Sequence, residues 1–146
     1  MLPTASQRVT KVIKLADAVA REYEREYIGT EHLLLAIRRE RGGRGARILA
    51  GRHLSEELLR EEIDKLIKDQ MEETWVFGRL PGTPHFKNVM AKAIEECQAV
   101  GGKSVETEHL LLALLRERGC VAFKALESLG LTYDAARKIL ASTEAG

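Results

Sequence analysis

Thr30-Glu31-His32-Leu33-Leu34-Leu35-Ala36 occurs twice in this chain of 146 residues, returning unchanged as Thr107-Glu108-His109-Leu110-Leu111-Leu112-Ala113. The offset is 77 positions, and Arg39-Glu40-Arg41-Gly42 returns at the same offset as Arg116-Glu117-Arg118-Gly119. Such agreement at one register marks an internal duplication. Each copy reads as a helix start. Thr30 and Thr107 are expected N-caps, and Glu31 and Glu108 follow where a carboxylate favours the positive helix end. Leu33, Leu34, Ala36 and Ile37 make the first of these helices apolar on more than one face, so it is expected to be central and buried.

Working outward, Val9, Val12, Ile13, Ala16, Ala20 and Tyr23 recur at helical spacing behind Ser6, a candidate N-cap, which predicts an amphipathic helix to about residue 24. Gly42 and Gly43 end the second helix, a short third covers 44–50, and Ser55-Glu56-Glu57 opens a fourth. The second half replays this order. Thr83-Pro84 stands where Ser6-Gln7 stood, with Pro84 at the favoured first helical position. Thr107 starts the next helix, residues 121–129 form a short one, and Thr132 opens the last. The fold class expected is all-α: one domain over 1–146, made of two pseudo-symmetric four-helix repeats at 5–68 and 83–142. A surface linker at 69–82 would carry Trp75 and Phe77. Strand signals are nearly absent, and Thr74-Trp75-Val76-Phe77 is the one candidate.

Apolar residues make up 45% of the chain and aromatics 5%, which suits helices packed through Leu, Ile, Val and Ala. The formal charge is +1, with acids and bases interleaved, so no general attraction to nucleic acid or anionic membrane is expected. No stretch approaches the roughly 18 apolar residues of a membrane span, and the N-terminal residues show no signal-peptide core. Cys97 and Cys120 share no metal-binding spacing and read as reduced thiols. A cytoplasmic protein, monomeric as an isolated domain, is the expectation.

Catalytic motifs are missing. No G-x-x-x-x-G-K-[ST], H-E-x-x-H or G-x-S-x-G occurs, so neither an enzyme nor a cofactor is expected. None of His32, His53, His85 and His109 has a second histidine three or four residues on, so no metal site is expected either. His32 and His109 fit hydrogen bonding at the helix start. Glu31 and Glu108 fit helix-start carboxylates, and beside free helix N–H groups they can also read a ligand carrying both charges. Arg38, Arg39, Arg41, Arg44 and Arg47 crowd one region of the first half. They form either a solvated face or a docking surface for an acidic or phosphorylated partner.

Ile28-Gly29-Thr30-Glu31-His32-Leu33-Leu34-Leu35-Ala36-Ile37 and its second copy resemble the Clp amino-terminal, or Clp repeat, domain. Ala46-Arg47-Ile48-Leu49 and Phe123-Lys124-Ala125-Leu126 with the following Leu129-Gly130-Leu131 fit that family's second signature. The resemblance covers about residues 5–142 and has a ClpC-like flavour. It implies a binding module without catalysis, which recruits adaptor proteins and clients to a Clp ATPase ring coupled to a protease core. A stand-alone accessory protein docking on the Clp protease core is the alternative. In some ClpC-type members the domain is also similar to a receptor for phosphoarginine-tagged proteins. That resemblance implies contacts from Glu31 and Glu108 to the guanidinium, with Ser6, Thr30, Thr83 and Thr107 as the helix-start hydroxyls nearby. One departure stands out. The family's Gly-Thr-Glu-His is kept at Gly29 but becomes Glu106-Thr107-Glu108-His109, where a second carboxylate would repel a phosphate. The first copy, beside the arginines, is therefore the expected site.

Overall fold

The structure is a computed structural model that describes residues 3–25, 27–75 and 84–145. Eight helices form among them: α1 (Gln7–Glu22), α2 (Thr30–Glu40), α3 (Arg44–Gly51), α4 (Glu56–Trp75), α5 (Pro84–Ala99), α6 (Thr107–Leu114), α7 (Val121–Ser128) and α8 (Tyr133–Ala145). The all-α reading holds, with four helices in each half in the same order. Helix α4 takes in 69–75, which the apolar pattern assigns to a linker, while Val76 and Phe77 lie outside the described residues.

The helix starts follow from local chemistry. The Ser6 hydroxyl accepts the Val9 N–H at 3.2 Å, Ser55 accepts that of Leu58 at 3.1 Å, and Thr132 accepts that of Ala135 at 3.2 Å. Helix ends replay as well. Glu24 and its counterpart Gly101 both take left-handed backbone angles, and so do His53 and Gly130. The second half meets these angles with glycine, while the first half carries the strain on side-chain-bearing residues.

Helices α2 and α6 lie at the centre, as their sequence implies. Leu33, Leu34, Leu35, Ala36, Ile37, Leu110, Leu111, Ala113 and Leu114 are completely buried. Each such leucine contributes roughly 1.5–3 kcal/mol relative to exposure. Helix α2 packs on α1, α3, α4, α6 and α7, and α6 on α3, α5 and α8, so one core serves both repeats.

Two features tie the halves together. Thr4–Ala5 (β1) pairs in parallel with Ser104–Val105 (β2), a short bridge that strand patterning misses because neither dipeptide shows an apolar run. The expected capping by Thr30 and Thr107 is also corrected. The N-caps of α2 and α6 are Gly29 and Glu106, and each threonine is the first helical residue. The Thr30 hydroxyl accepts the Ala122 N–H at the start of α7, at 3.3 Å. The Thr107 hydroxyl accepts the Gly45 N–H at the start of α3, at 3.0 Å. Each repeat caps a helix of the other.

Candidate functional site

The start of each central helix is built the same way. The His32 Nδ1 accepts the Gly29 N–H at 2.9 Å, and the His109 Nδ1 accepts the Glu106 N–H at 2.9 Å. This bond requires a neutral Nδ1, so the ring proton sits on Nε2. Burial, helped by the charge of Arg25, holds the His32 imidazole down at about 4. His109 is lowered too, by burial. The hydrogen-bonding role read for both histidines is what the helix starts display.

Glu31 is 8% exposed. Burial pushes its carboxyl above the ordinary carboxylate range, while its own backbone N–H and the charges of Arg25 and His85 pull it back in part. Tyr23 and Tyr27 feel its charge in turn. The carboxylate lies over Gly29: a Cβ placed there would stand 1.9 Å from Glu31 Oε1. Only glycine leaves that space, although the Gly29 φ of −102° is open to any residue. What results is a buried acid that feels the charges of Arg25 and of His85, whose Nδ1 is bonded to Glu117 Oε2 at 2.6 Å. Such an acid gains from a cation brought to it, and the charge of Arg25 favours an anion beside it.

The second copy is arranged differently. Glu106 occupies the glycine position, and Glu108, its side chain 12% exposed, has Oε2 at 3.6 Å from Arg44 Nη1. The Ser6 N–H donates to the Val105 carbonyl at 3.0 Å, so the start of α1 sits beside this copy. At the start of α5, the His85 Nδ1 is bonded to Glu117 Oε2 at 2.6 Å, and its charge reaches Glu31. Thr83 lies outside the described residues. The hydroxyls of Thr30 and Thr107 already accept from α7 and α3, which uses one of the two acceptor sites of each.

The arginines of this group have different partners. Arg38 Nε donates to the Leu54 carbonyl at 2.8 Å, and Arg39 is clasped by Glu22 and Glu56 at 2.7 Å each. Arg44 turns to the second copy rather than the first. Arg41 and Arg47 are exposed. Sequence reading missed Arg25, His85, Tyr23 and Tyr27 around Glu31. Arg25, Tyr23 and Tyr27 stand close before the motif, a usable signal, whereas His85 comes from the other repeat and gives none.

The chain matches the family model described as Clp repeat (R) N-terminal domain over residues 4–142. It is 35% identical over 147 residues to the "Negative regulator of genetic competence ClpC/MecB" of Bacillus subtilis, covering 97% of this chain and 18% of that protein. To the "ATP-dependent Clp protease ATP-binding subunit ClpC" of Staphylococcus epidermidis it is 34% identical over 132 residues, covering 90% of this chain and 16% of that one. The chain thus spans less than a fifth of the length of these relatives. Among solved structures, the N-terminal domain of the chaperone ClpD from Arabidopsis thaliana superposes with a TM-score of 0.77 at 17% identity, covering 97% of this chain and 95% of that one. That likeness shows the shared fold. With a duplicated four-helix architecture and a family match along nearly its whole length, the chain belongs to the Clp repeat N-terminal domain family.

Proposed function

We propose that this chain is the receiving domain of a Clp-type ATP-dependent protease or chaperone. It binds adaptor and client proteins for a Clp ATPase ring, has no catalysis of its own, and recognises phosphoarginine through the first copy of its motif. The observation that carries the reading is Glu31, a buried carboxylate folded over Gly29 and within the field of Arg25. A guanidinium relieves the buried acid, and the phosphate attached to it meets the arginine and the N–H groups of a helix start. Glu108 is the weaker partner, since Arg44 already stands near it and Glu106 adds a second negative charge. Exposed Arg41 and Arg47 are the members of the arginine group left facing solvent for an acidic partner.

The test is retention on the immobilised chain of a protein phosphorylated on arginine, against the same protein unphosphorylated. Selective retention by wild type, lost in Glu31→Ala, is expected. Equal retention of both forms contradicts phosphoarginine recognition.

A further inference from the structure

The two repeats differ at one place that the motif does not mark. In the first, Tyr23 fills a slot between α1, α2 and α4. Its ring centroid is 5.6 Å from that of His32, the Arg60 guanidinium lies 5.4 Å from the ring, and its hydroxyl donates to Asp64 Oδ1 at 2.7 Å. Shifted by the repeat offset, these positions become Val100, His109, Arg137 and Ala141. Valine cannot reach across the slot. Val100 is 53% exposed, one of two large apolar side chains exposed among the described residues.

A cleft of about 70 Å³ opens there, lined by Val100, His109, Leu112, Arg137 and Leu140, with Glu96 on its wall. That volume is several times the ~10–15 Å³ that one water requires. The first repeat shows what these walls accept, because His32, Leu35, Arg60 and Ile63 stand at the matching positions around Tyr23. The polar end has been rebuilt. Ala141 cannot replace Asp64 as an acceptor, but Glu96 stands where Val19 is buried in the first repeat, and Glu108 adds a second carboxylate. Glu96 is 5% exposed and held by Arg116 Nη1 at 3.1 Å and by the Tyr133 hydroxyl at 3.0 Å, so its position is fixed before any partner arrives.

We infer that the cleft between α5, α6 and α8 receives a tyrosine side chain of a partner polypeptide, which takes the place that Tyr23 takes in the first repeat. The ring packs between His109 and Arg137 over Leu112 and Leu140, and its hydroxyl donates to a carboxylate of the wall. The site does not depend on Glu31 or on phosphoarginine.

The experiment is a nuclear magnetic resonance titration of the 15N-labelled chain with N-acetyl-tyrosinamide. Saturable shifts confined to the amides of Val100, His109, Leu112, Leu140 and their neighbours are expected, with a dissociation constant on the order of 1 mM. Val100→Tyr fills the slot from within and abolishes the shifts while raising the thermal midpoint. Val100→Lys, at the same exposed position, abolishes them without depending on ring packing. Glu31→Ala leaves them unchanged, which separates this site from the one proposed above. Diffuse or non-saturating shifts, shifts that persist in both Val100 variants, or equal binding of N-acetyl-leucinamide would each overturn the inference.

Discussion

Gly29 and Glu31 share one small volume, and their relation separates stability from binding. A Cβ at position 29 collides with the end of a flexible carboxylate, not with backbone, so the clash is relieved by moving Glu31. Gly29→Ala is therefore expected to melt within a few degrees of wild type and to bind phosphoarginine at least tenfold more weakly, read by thermal unfolding and calorimetry. His32 provides a second expectation. Its imidazole titrates at about 4 in the folded chain, against an ordinary histidine value of 6.5 once unfolded. Between those values the unfolded chain carries the proton and the folded chain does not, so stability rises with pH and falls on acidification. The charge acting from nearby is that of Arg25, and the Tyr23 and Tyr27 rings lie against the imidazole, all retained when His32 alone is changed. His32→Gln is expected to reduce the loss of stability between pH 7 and pH 5 by on the order of 1–2 kcal/mol in denaturant titrations. His109 keeps its smaller share of the slope. An unchanged slope would contradict the neutral buried ring.

At the scale of elements, the motif threonines join the repeats. Thr30 holds the start of α7 and Thr107 the start of α3, each across the duplication. Thr30→Val and Thr107→Val, which keep shape and remove the acceptor, are each expected to cost about 1 kcal/mol, measured by denaturant unfolding. Because the two caps act on different helices, the double variant is expected to lose close to the sum. The helices themselves were legible from apolar spacing, and the central place of α2 from its apolar residues on more than one face. The cross-repeat caps were not legible. A threonine at a helix start carries the same local signature whether it caps its own helix or one that arrives from 92 residues away. The β1–β2 bridge was hidden for a related reason: two residues on each side leave no period to detect.

For the whole molecule, duplication supplies the core, and divergence sets the two copies of the motif apart. The repeats keep the same helix order, the same His-to-backbone bonds and the same reciprocal caps, which is why one motif could indicate the entire architecture. They part at Gly29 against Glu106, at the surroundings of Glu31 and Glu108, and at Tyr23 against Val100. The difference between Gly29 and Glu106 was legible from the motif flanks, but the fold of Glu31 over Gly29 was not. The partners of the arginines were not, because Arg38, Arg39 and Arg44 are claimed by residues distant in sequence. Among the described residues, no helix is long and apolar enough to cross a membrane. The measurement that bears most directly on function is isothermal titration calorimetry of free phosphoarginine into wild type, Glu31→Ala and Glu108→Ala. One saturable site in wild type, lost with Glu31→Ala and kept with Glu108→Ala, is predicted. No binding by wild type, or equal loss in both variants, would contradict the assignment of recognition to the first copy of the motif.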